Sequence, residues 1–421
     1  MSAVTSTLRL VRERAVYLWI AFLAPSVSIL GHAVAPGREF FKGQDLGVIS
    51  GLALTAAAVV MWVPYHRERR PQPLVVAFVV VVVLAWATQL VRIQSDNSLF
   101  NVTAVCLPVI LVMIVIKPPG ARDIEVAGLA LMYGLALAAI VSIPLGAMGW
   151  MPNGFDATDS AGCRTPIICD LTGGLDRWAG PFGSVNYAAP IGGLLIVMGA
   201  AQHRPHNWIL VACGGGVLIL SQGRSALFAL IAGIAVLVLW GARVSALPRA
   251  KTIRIVALLA LAVGAVLYVR FIDPTINGRT GIWADFLALW RSAPLVGVGD
   301  SGVDAYVAGR AHLPELITVS HAHSVLIDML VRWGLPLAVL TVSVYGIAAA
   351  AAGRGLKLVG PGPLAVVTFV IVAGIVETIY SWEYWTVYLA ALAWAVLKAS
   401  QNAAIAEGVA ERRLFTAPRH P

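Results

Sequence analysis

Charge is scarce in this chain. Of 421 residues only 12% are charged, while 59% are hydrophobic and the mean hydropathy is +0.83. So little polar surface cannot cover a soluble domain, and lipid must be the solvent. No Gly-x-x-x-x-Gly-Lys loop occurs, so no nucleotide site is indicated. No strong internal repeat of the kind that builds transporters is visible. The apolar run that follows Leu8–Arg14 (LRLVRER) has no small-residue cleavage site in polar context after it, and the first helix is expected to be retained. Cysteine is limited to four residues. Cys106 and Cys213 fall inside apolar runs and read as small fillers. Cys163 and Cys169 share a polar loop, where a disulfide would form in an oxidising compartment.

What is present in excess is apolar runs of membrane-spanning length. A hydrocarbon core of about 30 Å asks for roughly 20 such residues per helix. Helices are expected near 15–35, 47–64, 74–91, 99–116, 126–147, 185–201, 207–222, 225–240, 254–269, 322–350, 363–380 and 385–398. The expected fold is therefore an all-α integral membrane protein of about twelve transmembrane helices, a single polytopic domain over 1–421. The formal charge of +9 is not gathered on one face, as nucleic-acid binding would ask. It is spread over alternate loops: Arg67, Arg69 and Arg70; Lys117 and Arg122; Arg243, Arg249, Lys251 and Arg254; Arg354 and Lys357. Arg9, Arg12 and Arg14 in front and Arg412 and Arg413 behind keep the alternation, so both termini are expected in the cytoplasm.

Two of the remaining loops, about 149–183 and 271–320, are far longer than a connection needs and are expected on the outer side. The second contains Gly281–Trp290 (GIWADFLALW), whose spacing predicts an amphipathic helix on the membrane surface. Three outer stretches combine charge with helix ends. Ser221-Gln-Gly-Arg-Ser-Ala226 places Arg224 in a tight turn between apolar helices, either to meet an anion or to snorkel to headgroups. Gly278-Arg279-Thr-Gly-Ile-Trp283 opens the interfacial helix, and the guanidinium fork of Arg279 suits two phosphate oxygens or, more blandly, headgroups. Ser320-His-Ala-His-Ser324 precedes an apolar run. His321 and His323 could supply a general base, cap a helix or bind a metal, but no carboxylate or cysteine stands at ligand spacing and no metal is expected.

In this order the pieces resemble the O-antigen ligase and O-antigen polymerase superfamily of integral-membrane glycosyltransferases. Ala179–Ala188 (AGPFGSVNYA), which contains Asn186, is similar to the family's entry to a central helix, and SQGRSA to its Ser-x-x-Arg turn. Gly278–Gly302 is similar to its Gly-Arg…Trp…Pro-Leu-x-Gly-x-Gly loop, and His323-Ser324 followed by Gly334 to its histidine-led helix start. The resemblance spans roughly 175–395. Departures occur at Leu337, where the family often has a second Gly, and at Phe228, where it often has Leu.

The resemblance implies a ligase or polymerase that transfers a saccharide from a polyprenyl diphosphate-linked donor to a glycan, lipid or protein acceptor, outside the cytoplasmic membrane and without a cofactor. Arg224 and Arg279 would hold the leaving diphosphate and His323 would act as base, with His321 its rival. Asn186, His321 and Asp300 are further candidates for substrate contact, and Asp304 could share the role of Asp300 or be a solvated loop residue. Arg332 would pair with Asp328 one turn earlier. Glu377 and Glu383 flank an aromatic-rich turn that reads as an interfacial belt or, less simply, a sugar-stacking surface. The competing class is a secondary transporter or flippase for an anionic or lipid-linked sugar, which would gather its ionisable residues near the midplane.

Overall fold

The computed structural model describes residues 13–33, 43–66, 70–90, 98–148, 177–182, 184–202, 207–240, 279–309, 321–377 and 387–400. Among them every regular element is helical. In chain order these are α1 (Val16–Ala33), α2 (Gly43–Trp62), α3 (Pro73–Leu90), α4 (Ser98–Ile116), α5 (Ala121–Ala147), α6 (Val185–Ala201), α7 (Trp208–Ser221), α8 (Arg224–Trp240), α9 (Arg279–Trp290), α10 (Gly299–Gly309), α11 (Val325–Val359), α12 (Gly362–Val376) and α13 (Val387–Ser400). A helix stands at each expected position except 254–269, which lies outside the described residues. So do both chain ends, the Cys163–Cys169 loop and the segment 378–386 that contains Glu383.

The expected number of full spans, about twelve, goes beyond what the described residues show. Among the described residues α5 and α11 meet both the length and the apolarity of a full crossing, and the remaining apolar helices present shorter described stretches. α7, for example, has 14 residues, about 21 Å at the helical rise, against a core of about 30 Å. On α5, Leu137, Ile140 and Ile143 recur every third residue and point outward, while Ile124, Leu131 and Leu135 on the opposite side are buried. Leu335, Val339 and Val342 form the same outward stripe on α11. Apolar stripes of this kind need a lipid partner rather than water.

The core joins two groups of helices. α1 packs on α2 and α5, and α4 on α2 and α3. α6, α8 and α12 form a second group, with α7 against α6, and α11 bridges the groups through α3 and α12. α6 and α7 approach at glycine: a Cβ on Gly192 would lie 2.7 Å from the Gly214 carbonyl, and one on Gly214 would lie 2.5 Å from that of Gly192. Such contact lets backbones meet where no hydrophobic effect drives association.

The long segment before α11 holds two helices rather than one. A helix, α9, stands at Gly281–Trp290 as expected, but its apolar side chains are spread around it rather than gathered on one face, so the amphipathic character is not found; α10 was not foreseen, because its Gly299-Asp-Ser-Gly start reads as loop. Both pack on the first turns of α11 around Phe286, Val303, Ala322 and Val331. α11 breaks at Gly334, whose φ of 80° and ψ of −177° only glycine adopts without strain. The Pro294–Gly297 segment lies against this break: Leu335 N donates to Pro294 O at 3.0 Å, and Val298 N to Val331 O at 2.7 Å. A Cβ on Gly334 would meet Leu295 O at 2.3 Å. The short turn before the break thus becomes a platform for the histidine segment rather than part of a straight span.

Candidate functional site

Four chain segments meet at one buried carboxylate. The first is the turn between α7 and α8. α7 ends on Gln222 in the left-handed conformation, φ 51°, and its last carbonyls are taken by neighbours: Arg177 Nε donates to Ser221 O at 3.0 Å and Trp178 N to Leu220 O at 2.9 Å. Those bonds satisfy helix-end acceptors that would otherwise be orphaned. They also fix where α8 begins, at Arg224 and Ser225.

The second segment is the start of α9, which presents Arg279 inward with its side chain 6% exposed. The third is the histidine turn. His323 itself adopts a left-handed backbone, φ 49°, a conformation uncommon for a residue with a Cβ and held here by its surroundings. Trp283 Nε1 donates to Ala322 O at 2.8 Å, and Ala322 N donates to Asp328 Oδ1 at 3.0 Å, so the residue between the two histidines is gripped on both sides. The fourth is the end of α12, where Glu377 leaves the helix in an extended conformation with its side chain 1% exposed.

Glu377 uses both oxygens. Oε1 lies 2.7 Å from His323 Nδ1; Oε2 accepts from Arg279 Nη2 at 2.6 Å and from Ser225 Oγ at 3.2 Å. Arg279 also donates through Nη1 to the carbonyl of Val376, the last of α12, where a cation is favoured by the helix dipole. Burial alone would raise the Glu377 carboxyl, but the His323 hydrogen bond and the Arg279 charge outweigh it and hold it below its usual value. Glu377 is thus a buried anion.

His321 packs edge-on against His323 with ring centroids 4.3 Å apart. Burial first, then the charge of His323, lowers its pKa to about 4 against the opposing pull of Glu377. Ligand atoms of His321, His323 and Glu377 lie within 4.8 Å of one another, the spacing of a three-ligand metal site. The chemistry is unfavourable for one: Arg279 already puts a positive charge on Oε2, and Oε1 is shared with the histidine. These groups are better suited to moving a proton than to holding a cation.

The structure treats the expected residues unequally. Arg279, His321 and His323 are brought together. Ser225 carries the start of α8 to the same carboxylate; the side chain of its neighbour Arg224 lies outside the described residues. Asn186 sits half-buried in the first turn of α6, behind a helix capped by Ser184 Oγ. Asp300, on α10, forms an ion pair with Arg332, which also lies 3.8 Å from Asp328. Asp304 is exposed on the same helix. Two members of the cluster carried weaker signals in the sequence: Ser225 none beyond its place in SQGRSA, and Glu377 only that an acid closes an apolar run, which at such depth marks a functional candidate.

Residues 209–342 match the O-antigen ligase family. The match bears out the superfamily recognised in the motifs and covers α7 to the first half of α11, including Arg224, Ser225, Arg279 and both histidines. Asn186 and Glu377 fall outside it. No curated protein matches the chain. The chain is therefore similar to a membrane-bound family of glycan ligases and polymerases, and nothing in the match supports a transporter.

Proposed function

We propose that this protein is a membrane glycosyltransferase that moves a saccharide from a polyprenyl diphosphate carrier to an acceptor hydroxyl, with Arg279 and Arg224 holding the diphosphate and His323 taking the proton. The observation that carries the reading is the convergence of Arg279, His323 and the start of α8 on Glu377 within hydrogen-bond distance. In the transfer, His323 Nε2 accepts the hydroxyl proton while the oxygen bonds to the sugar's C1. The C1–O bond to the carrier breaks, and its electron pair leaves on the diphosphate. A single displacement inverts the anomeric carbon. Only interactions that strengthen as charge develops on the leaving oxygen speed this step, and a guanidinium supplies them.

His323 is favoured over His321 by two features. A carboxylate faces its Nδ1, and His321, held near pKa 4, is a poor proton acceptor at neutral pH. The basic loops support an outer-facing site with both termini in the cytoplasm. The test of function is incubation of purified protein in lipid with a polyprenyl-diphosphate oligosaccharide and candidate acceptors, reading released carrier and extended acceptor. Carrier release that depends on acceptor is expected; its absence with every lipid-linked donor contradicts the reading. Sidedness is tested by labelling introduced cysteines near residues 285 and 305 in intact cells with an impermeant reagent. Labelling there and protection near Arg249 are expected, and the reverse pattern refutes the orientation.

A further inference from the structure

We propose that Glu377 is a positioning residue that orients His323 for proton transfer and links it to the cation that receives the leaving group. The proposal rests on the transfer reading above and adds to it a residue that lies beyond both the motifs and the matched family region. A neutral imidazole has one N–H and one lone pair, and which nitrogen carries the proton is set by the partner of the other. Since Glu377 is an anion and only accepts, Oε1 at 2.7 Å requires the proton on Nδ1. Nε2 is then the lone-pair nitrogen, the one left to take a proton from an acceptor hydroxyl.

When Nε2 takes the proton, the ring becomes cationic and the same carboxylate lies against the new charge, without reorganisation of water. Oε2 meanwhile fixes Arg279 and, through Ser225, the first turn of α8. One rigid carboxylate therefore sets the distance between the base and the diphosphate clamp. Its own rigidity follows from burial and from the backbone bond of Glu377 N to Ala373 O at 2.8 Å. Among the described residues, the charged and titratable groups that act on this pair include Arg279 from α9, His321 from the histidine turn, Arg332 from α11 and Tyr388 from α13.

The experiment measures kcat, donor KM and the pH profile of kcat for full-length Glu377→Gln, Glu377→Asp and His323→Ala proteins in lipid nanodiscs, with a polyprenyl-diphosphate oligosaccharide as donor. For Glu377→Gln a kcat loss of about 10²–10⁴-fold is expected. The acidic limb of the profile should move to lower pH, because the imidazolium has lost its counter-charge. Donor KM should stay level or fall, since Arg279 loses an anion that competes with diphosphate. Glu377→Asp should recover part of the rate, and Glu377→Gln combined with His323→Ala should be no worse than His323→Ala alone. Should Glu377→Gln not assemble, Ser225→Ala replaces it, with a loss of roughly 3–10-fold in kcat from one hydrogen bond.

An unmoved acidic limb with a raised KM would mean a purely structural role and overturn the proposal. So would multiplicative effects of Glu377→Gln and His323→Ala, or a bound divalent metal in the wild type that Glu377→Gln loses. If His323→Ala transfers at the wild-type rate, the base assignment itself falls. If His323→Ala is impaired while Glu377→Gln is normal in rate and profile, only the role of Glu377 falls.

Discussion

Two clusters of charge stand near the start of α11, and they are built from the same kinds of residue. Around Glu377, an Arg, a His and a Ser from three different segments all address one carboxylate that is 1% exposed. Around Arg332 the arrangement is inverted: one guanidinium lies between Asp300, 55% exposed on α10, and Asp328, which is fully buried and already accepts from the Ala322 backbone. The first cluster brings an imidazole and a guanidinium onto one carboxylate. The second holds α10 and the histidine turn to α11. Depth and an arginine–acid pair do not by themselves distinguish a reaction centre from a brace; the proposed centre differs from the brace in that an imidazole shares its carboxylate.

This contrast can be broken most sharply at the two arginines. Arg279→Ala is expected to reduce transfer by about 10³-fold through loss of charge stabilisation on the leaving oxygen, and Arg279→Lys to restore only part of it, because an ammonium lacks the planar two-donor fork. Full rescue by lysine in a transfer assay would reduce Arg279 to a point charge. Arg332→Met should do the opposite. It leaves Asp328 buried and less well compensated, with a stability loss on the order of 3 kcal/mol read as a lowered Tm in detergent, while turnover per folded molecule stays within about tenfold. Equal loss of turnover in the two variants would merge the clusters into one site.

Asp300 illustrates how the sequence and the fold divide the information. In the sequence it is an acid in a Gly-rich stretch and so a sugar-binding candidate; its partner Arg332 is 32 residues away and becomes visible only when α10 folds onto α11. The same holds for Glu377, 98 residues from Arg279 and 54 from His323. Apolar periodicity made the helices legible, since each run is a local property, and the local motifs made Arg279 and the histidine turn legible. The break at Gly334 was missed because Leu335, Pro336 and Leu337 continue the apolar run, and periodicity does not register a backbone angle. α10 was missed because two glycines and two acids open it.

Smaller effects separate the two histidines. The folded pKa of His321 is near 4 and its ordinary value 6.5, so the unfolded chain accepts a proton in that window that the folded one refuses. Stability attributable to this residue is complete above about pH 6.5 and declines as pH falls toward 4, by up to about 3 kcal/mol. His321→Gln should flatten the fall of Tm between those values; an unchanged slope would show that His321 is not held neutral. The smallest expected effect is that of chelation. Exhaustive treatment with EDTA should leave transfer unchanged, and activity restored only by an added divalent ion would turn the histidine–Glu377 group into a metal site.

The central claim is that this cluster separates holding the donor from activating the acceptor. The most direct measurement compares donor binding and single-turnover transfer in the same nanodisc preparations of wild type and His323→Ala, with a labelled polyprenyl-diphosphate oligosaccharide. The account predicts donor binding within about threefold of wild type and transfer slower by about 10²–10⁴-fold. Wild-type transfer in His323→Ala, or a loss of donor binding that accounts for the whole loss of transfer, would contradict it.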